Sequence, residues 1–360
     1  MNQKTILFIL PSPSSAPIGG YKVIFEYANM FSKNSYDVGI LYVYDNDKED
    51  FLRKIFHFFK FIVFKSFSSK KWFALNGKIK EFLFVKQKKR HLDKFITNYD
   101  ILCASSVSTA YFIADEPFFS TKRKFYLIQD YEKWGQTTDE YLLNSYKLDL
   151  EKIVISPWLK EKVSSVGEKA VLIENGFDFN YFKLTNPINK RFSFEVSMLY
   201  HLDDRKRCED SFKALEIVKK EIPELHVNIF GVFEKPKYLP DWYTYYRKPN
   251  KAVHNMILNN SAIFIAASKA EGMALPPAEA MICGCALCCT DIGGFNVYAK
   301  NNETALTSPV FEYEKLAENI KKLILDKHLR EKIAISGNKF IQHFTWESAF
   351  EKFRNLVEKS

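Results

Sequence analysis

An α/β fold of two successive doubly wound domains is what the sequence predicts, and three observations predict it. Short continuous apolar runs alternate with helical stretches along the first half of the chain, the pattern of parallel strands buried on both faces. The alternation lapses over residues 178–192, DFNYFKLTNPINKRF, where Asn, Pro and charged groups gather. A second alternating series then follows, in a chain of 360 residues that is too long for one simple core.

In order, residues 4–10 (KTILFIL) read as the first buried strand, followed by a Pro/Ser loop and a helical pattern that opens at Gly19-Gly20 and runs to about Ser32. Residues 38–44 (VGILYVY) read as the second strand, and apolar runs at 101–104, 125–128, 152–155 and 171–173 as further ones. Strands alternating with helices imply βαβ units and a mainly parallel sheet. The first domain is therefore expected over 1–183 and the second over 190–343. Its elements read as strand 194–201, helix 208–222, strand 225–231, helix 251–260, strand 262–267, helix 277–283 and strand 285–290. Amphipathic helices near 313–325, 328–343 and 346–358 finish the chain, with 344–360 expected to cross back to the first domain. Two such domains imply an interdomain cleft at the carboxyl ends of both sheets, where ligands of doubly wound folds bind.

A hydrophobic fraction of 47% excludes a disordered chain, and 13 Gly with 13 Pro exclude a fibrous one. The apolar run before Pro11 is too short for a signal-peptide core, and no uncharged stretch reaches the ~18–20 residues of a spanning helix. Six cysteines, four of them crowded at Cys283, Cys285, Cys288 and Cys289, do not make a disulfide framework. A reduced, cytoplasmic protein is expected.

The net charge of +9 has one source. Residues 51–90 hold twelve Lys/Arg and one acid, Glu81, together with ten Phe and one Trp. The remaining 320 residues sum to −2. Rings interleaved with cations suit a helix lying in an anionic headgroup layer, at about 1 kcal/mol per cation. The same composition also fits a helical subdomain with buried Phe and solvated Lys. No nucleic-acid reader motif accompanies the charge.

The informative stretch is residues 268–294, SKAEGMALPPAEAMICGCALCCTDIGG. A buried strand ends, a loop carries Glu271 and Gly272, and Pro276-Pro277 suit the start of a helix, which places Glu279 in its first turn. Two carboxylates at that separation can face one pocket. The backbone N–H groups of Met273, Ala274 and Leu275 lie beside the positive end of the helix dipole, a seat for phosphate.

The spacing Glu271-x7-Glu279 within EGMALPPAEAMICG…TDIGG resembles the signature of retaining glycosyltransferases of GT-B fold, family 4. Gly19-Gly20, NGFD at 175–178, DRK at 204–206 and FTWE at 344–347 extend the resemblance over most of the chain. FYLIQDYEKW at 125–134 and ISPWL at 155–159 are similar to bacterial enzymes of surface-polysaccharide synthesis, some of them rhamnosyltransferases. The resemblance implies that Glu279 holds the ribose hydroxyls of the donor nucleotide and that Glu271 faces the transferred sugar. Arg205 and Lys206 match the cationic pair used on the diphosphate, and no metal ion is implied. A carboxylate at Glu271 can stabilise positive charge developing on the sugar.

Departures from the family pattern are legible too. Tyr200 stands where many relatives carry Arg, and Arg207 where they carry Gly; His201 is close enough to help a rebuilt phosphate clamp. Gln129-Asp130 stands where relatives often have His-Asp. Gln cannot act as a general base, so acceptor orientation is expected to rest on Asp130, on Glu132, or on the donor's own phosphate. Gly20 is expected to let its loop approach the donor phosphate or the acceptor.

Other signals are weaker. Asp45-x-Asp47 reads as a hydrophilic turn rather than a metal site. The cysteine cluster falls on a strand whose alternate residues point to opposite faces, which argues against zinc. No Gly-x-Gly-x-x-Gly follows the first strand, which argues against a dinucleotide site.

The expected function is transfer of a hexosyl or deoxyhexosyl group from a nucleotide sugar to a lipid-linked or growing surface-glycan acceptor. The protein would work without cofactor or metal and dock peripherally on the inner face of the cell membrane through 51–90. The alternative is a non-catalytic subunit that binds nucleotide sugar and scaffolds a partner enzyme.

Overall fold

The computed structural model describes residues 4–14, 17–44, 72–85, 96, 98–133 and 137–359. These form two compact units, one of residues 1–175 with 347–360, the other of 176–346.

The first unit is a seven-stranded parallel sheet of order β3-β2-β1-β4-β5-β6-β7. Its strands are β1 (Thr5–Leu10), β2 (Asp37–Tyr44), β3 (Lys80–Val85), β4 (Ile101–Ala104), β5 (Arg123–Ile128), β6 (Glu151–Val154) and β7 (Ala170–Leu172). Helices α1 (Gly19–Lys33), α2 (Val107–Asp115), α3 (Asp139–Ser145) and α4 (Pro157–Ser164) follow β1, β4, β5 and β6. β1 is buried from Ile6 through Leu10 and pairs with β2 on one side and β4 on the other, which is why its sequence is continuously apolar.

The second unit is a six-stranded parallel sheet of order β10-β9-β8-β11-β12-β13. β8 (Glu195–Tyr200), α5 (Cys208–Glu221), β9 (His226–Gly231), β10 (Tyr243–Arg247) and α6 (Lys251–Asn260) form one half. β11 (Ile263–Ala266), α7 (Leu275–Ile282), β12 (Ala286–Thr290) and β13 (Ala305–Ser308) form the other. Helices α8 (Tyr313–Leu325) and α9 (Lys327–Ile341) follow, and α10 (Trp346–Glu358) ends the chain. Both sheets are thus doubly wound Rossmann-like layers, with the site-bearing loops at the carboxyl ends of the strands.

Three sequence expectations change. Residues 80–85 are a strand, not part of an amphipathic or subdomain helix. The open edge of β2 offers unpaired backbone groups, and K-E-F-L-F-V joins them in parallel register from Gly39↔Lys80 to Tyr44↔Val85. Trp72 and Phe73 pack on Phe25 of α1, at ring separations of 5.6 and 5.3 Å. The rest of the basic stretch, 51–71 and 86–90, lies outside the described residues, as do Asp45 and Asp47.

The division between units falls at Asn175/Gly176 in place of 183–190. Residues 176–190 are pinned to the second unit, which explains the shift. The Phe177 N–H bonds the Phe344 carbonyl at 3.0 Å, and the Thr185 N–H bonds Asn259 Oδ1 of α6 at 2.7 Å. Finally, α7 begins at Leu275 rather than Pro277, so Glu279 is its fifth residue and lies in the second turn.

Candidate functional site

On the second unit, β8 ends at Tyr200 and runs through His201 into a 3-10 turn, Asp204–Lys206. Asp203 caps that turn, accepting the Arg205 N–H at 2.9 Å and the Arg205 guanidinium at 2.8 Å. Burial works to raise the Asp203 pKa, but the Arg205 hydrogen bonds outweigh it and hold the carboxyl below its usual range. His201 Nδ1 accepts the Asp203 N–H at 2.9 Å, which puts its proton on Nε2. Burial, then the neighbouring Lys206, lowers its pKa, which favours a neutral imidazole bracing the loop. Tyr200 packs between Phe212 and Tyr245, with ring separations of 6.2 and 6.0 Å.

The turn closes on Arg207 in the left-handed region, φ 46° and ψ 42°. A side chain pays about 1–2 kcal/mol there relative to Gly. The guanidinium offsets this by gripping Asp210 at 2.8 and 3.0 Å and Asp204 at 2.9 Å.

The loop between β11 and α7 brings up the opposing charge. Glu271 is buried, and Lys206 Nζ donates to both of its carboxylate oxygens, at 2.6 and 2.8 Å. Ser268 Oγ donates to Glu271 Oε1 at 2.7 Å. The two loops are stitched together: the Lys269 N–H bonds the Arg205 carbonyl at 2.8 Å, and the Lys269 ammonium pairs with Asp204. Gly294 backs the site so closely that a Cβ there would lie 2.2 Å from the Glu271 carbonyl oxygen. Tyr298, fully buried, donates its hydroxyl to the Ala274 carbonyl at 2.7 Å and fixes the entry into α7.

Pro276 and Pro277 carry no N–H, so the amides offered at the start of α7 are those of Met273, Ala274 and Leu275. Glu279 is buried one turn further in. Its charge is felt by Tyr181, whose phenol is raised first by burial and then by Glu279. Tyr298 is raised well above the ordinary range by burial, with Cys289, Glu271 and Glu279 adding to it, so both glutamates lie about one phenol. Lys206, Ser268, Glu271, Ala274, Pro276 and Pro277 line a small open hollow, with Phe264 and Phe295 among its apolar walls.

The structure therefore joins Lys206 directly to Glu271 and sets Glu279 close behind. Arg205 shares the loop, but its guanidinium turns to Asp203. Neither Arg205, Glu279, Met273 nor Leu275 is among the residues that line the hollow. Ser268, Lys269 and Tyr298 were missed by sequence reasoning. Ser268, three residues before Glu271, carried the one readable signal, a hydroxyl at hydrogen-bonding distance along a tight loop.

On the first unit, Gly20 sits in the opening turn of α1, where a Cβ would meet the Gln129 side chain at an ordinary 3.5 Å. Asp130 follows β5 and accepts the Tyr131 N–H at 2.8 Å. Glu132 is buried and accepts the Val107 N–H at the start of α2, at 3.2 Å. Burial raises its pKa to about 8, against that hydrogen bond, with Asp130 adding to the rise.

All six cysteines are buried thiols, and Cys285 donates to the Leu258 carbonyl at 3.0 Å. Among the described residues no group of three His, Cys, Asp or Glu is placed to hold a metal, and no helix is long and apolar enough to cross a membrane.

Residues 190–340 match the model of the family described as glycosyl transferases group 1. A capsular polysaccharide biosynthesis glycosyltransferase of Staphylococcus aureus, CapM, is 24% identical over 58% of this chain, and the match spans 60% of that relative's length. Among solved structures, Anabaena HepE in complex with UDP-glucose superposes with a TM-score of 0.74 at 17% identity, covering 98% of this chain and 99% of that one. Sucrose-phosphate synthase from Thermosynechococcus elongatus gives 0.72 at 14% identity, over 99% and 98%. A variant of S. aureus TarM, in complex with fondaparinux, alpha-GlcNAc-glycerol and UDP, gives 0.72 at 13% identity, over 99% and 100%. The fold is GT-B, and Lys206, Glu271 and Glu279 all lie within the residues that the family model matches.

Proposed function

We propose that this chain is a retaining, metal-independent glycosyltransferase that moves a sugar from a nucleoside diphosphate donor to a lipid-linked or growing surface-glycan acceptor. The observation that carries the reading is the Lys206–Glu271 pair at the carboxyl end of the second sheet, within the region matched to the group 1 family. HepE and TarM, of the same fold, are seen with UDP-glucose or UDP, which supports a uridine diphosphate sugar as the donor class. The capsule-forming relative supports a surface-glycan acceptor.

In this reading each partner of the pair has its own task once donor enters. Lys206 gives its ammonium to the diphosphate, whose negative charge grows as the glycosidic bond breaks. Glu271 faces the sugar and stabilises the positive charge that develops at the anomeric carbon. The Met273, Ala274 and Leu275 amides take phosphate oxygens at the α7 dipole, and Glu279 takes ribose hydroxyls. Arg205 serves the diphosphate by leaving Asp203. On the first unit, Gly20 and Asp130 contribute to the acceptor side. The protein acts in the cytoplasm, and docking on an anionic leaflet falls to the ten Lys/Arg of 51–71 and 86–90.

A thermal-shift screen of nucleoside diphosphates and their sugars tests the donor assignment, with stabilisation by UDP or a UDP-sugar expected. No shift with any nucleotide would remove the reading. Flotation with anionic liposomes tests the docking, and equal recovery on neutral and anionic lipid would count against it.

A further inference from the structure

We propose that Tyr181 is a specificity-determining residue of the donor site, its phenol being the hydrogen-bond donor that reads the vicinal hydroxyls of a ribose beside the Glu279 carboxylate. The inference deepens the proposed function by naming what the site asks of the nucleoside, and it rests on that reading for the seat of the ribose at Glu279.

Two ties lay the Tyr181 segment along α7. Leu184 lies against Gly284, where a Cβ would come within 2.7 Å of Leu184 Cδ1. Asn255 Oδ1 of α6 accepts both the Lys183 N–H, at 3.3 Å, and the Cys283 thiol, at 3.4 Å. Positions 183 and 184 are thus matched to 283 and 284, and the two segments run in the same direction. Glu279 is one helical turn before Cys283, and Tyr181 two residues before Lys183, so the two side chains are neighbours. The electrostatics agree: after burial, Glu279 and then Cys283 are the groups that raise the Tyr181 phenol.

Tyr181 is also well anchored. Its N–H bonds Asp178 Oδ1 at 3.1 Å, and the Phe182 N–H bonds the Asp178 carbonyl at 2.9 Å. The Phe182 ring meets the Tyr181 ring at 4.3 Å and packs edge-on against His254 of α6 at 5.3 Å. The Lys251 ammonium, from the first residue of α6, lies over the Tyr181 ring at 4.9 Å. A half-buried side chain packed in this way gives up little freedom when a ligand binds.

Its hydroxyl is the group left for a ligand. Among the described residues no protein group takes a hydrogen bond from it, Glu279 included. A ribose hydroxyl is both donor and acceptor, so it can give its proton to Glu279 and accept that of Tyr181 at the same place. The carboxylate can only accept, so the phenol supplies the missing half of the recognition. Burial and the neighbouring carboxylate keep the phenol protonated, hence a donor. A site that bonds a substrate hydroxyl disfavours the analogue lacking it, because its own polar groups then go without partners.

Isothermal titration of UDP, 2′-deoxy-UDP and 3′-deoxy-UDP into wild type and Tyr181→Phe tests this. The Phe variant keeps the ring and its packing on Phe182 and Lys251, and should melt as wild type does. It should bind UDP about tenfold more weakly, the worth of one hydrogen bond. At least one deoxy analogue should bind both proteins equally, having no hydroxyl for the phenol to read. Weakening of all three nucleotides by one common factor would show a general disturbance of the site and overturn the proposal. UDP binding unmoved by the substitution would overturn the role of Tyr181 while leaving the donor reading intact. No binding of any nucleotide to wild type would overturn both.

Discussion

At the scale of single residues, Lys206 and Glu271 are partners in the structure, and the proposed function has substrate engage each of them separately. Glu271→Ala should lower turnover by roughly 10²–10³ while leaving donor affinity within a few fold, because its interaction strengthens as charge develops. Single-turnover rates at saturating donor measure this, and an unchanged rate would remove Glu271 from the chemistry. Gly294 is a second point of sensitivity. Any Cβ would press to 2.2 Å from backbone at Glu271, so Gly294→Ala should displace that loop and lower activity far more than its one methyl group suggests. Activity and melting temperature together check it; near-wild-type values for both would show that the backbone yields.

These residues also show how far the sequence reached. The meeting of residues 206 and 271 was legible because strand ends at 200 and 266 can be read from apolar runs, and parallel topology puts both loops on one edge. The turning of Arg205 to Asp203 was not, since it depends on a 3-10 turn that only brings two consecutive residues to different partners once folded. His201 as a neutral brace was equally hidden, because its role is fixed by one backbone N–H at 2.9 Å.

At the scale of elements, buried arginines replace missing caps. Arg191 lies in the segment before β8, is buried, and donates to carbonyls of Asn186, Leu258, Ser261 and Cys283, gathering the ends of α6 and α7. Cations are favoured at the negative end of a helix dipole. Removing the side chain strands several buried carbonyl oxygens, so Arg191→Ala should cost about 3–5 kcal/mol, as breaking a buried charged network does. Denaturant unfolding measures it, and a loss under 1 kcal/mol would contradict the capping role. Arg330 repeats the device on α8, donating to Leu323 and Ile324 carbonyls at 2.7 and 3.0 Å. Neither is visible in sequence, where Arg191, near Pro and Asn, reads as part of a solvated linker and Arg330 as one more charge on an amphipathic helix.

Elements missed by pattern have physical reasons as well. β3 was obscured by the cations around it, although K-E-F-L-F-V fits a strand on an open edge. β10, Tyr243–Arg247, reads Y-T-Y-Y-R and is a half-buried edge strand with no clean alternation. The helix α7 starts two residues before the position that Pro276-Pro277 suggest, because Leu275 already lies in the helix.

At the scale of the whole molecule, the chain makes two sheets and returns to the first. Helix α10 delivers Phe353 onto Phe8, Tyr27, Phe31 and Phe125, and its end is held by Arg123, which donates to the Leu356 and Val357 carbonyls at 2.9 and 2.8 Å. Phe350, Phe353 and Val357 are all buried, and each contributes about 1.5–3 kcal/mol relative to an exposed side chain. A chain ending at residue 345 should therefore lose stability in the first unit and not in the second. Calorimetry would show one transition lowered and another retained; equal lowering of all transitions would contradict that assignment.

The second unit, 176–346, holds Arg205, Lys206, Glu271 and Glu279, all proposed for the donor. Isothermal titration of UDP into the full chain and into Lys206→Ala therefore tests the assignment most directly. Saturable binding to wild type, weakened at least about tenfold by loss of the Lys206 charge-assisted contact in a variant that melts normally, is the expected result. Equal affinity in both proteins, or no binding to either, would mean that the ammonium at 206 and the carboxylate it holds serve the fold and not a nucleotide sugar.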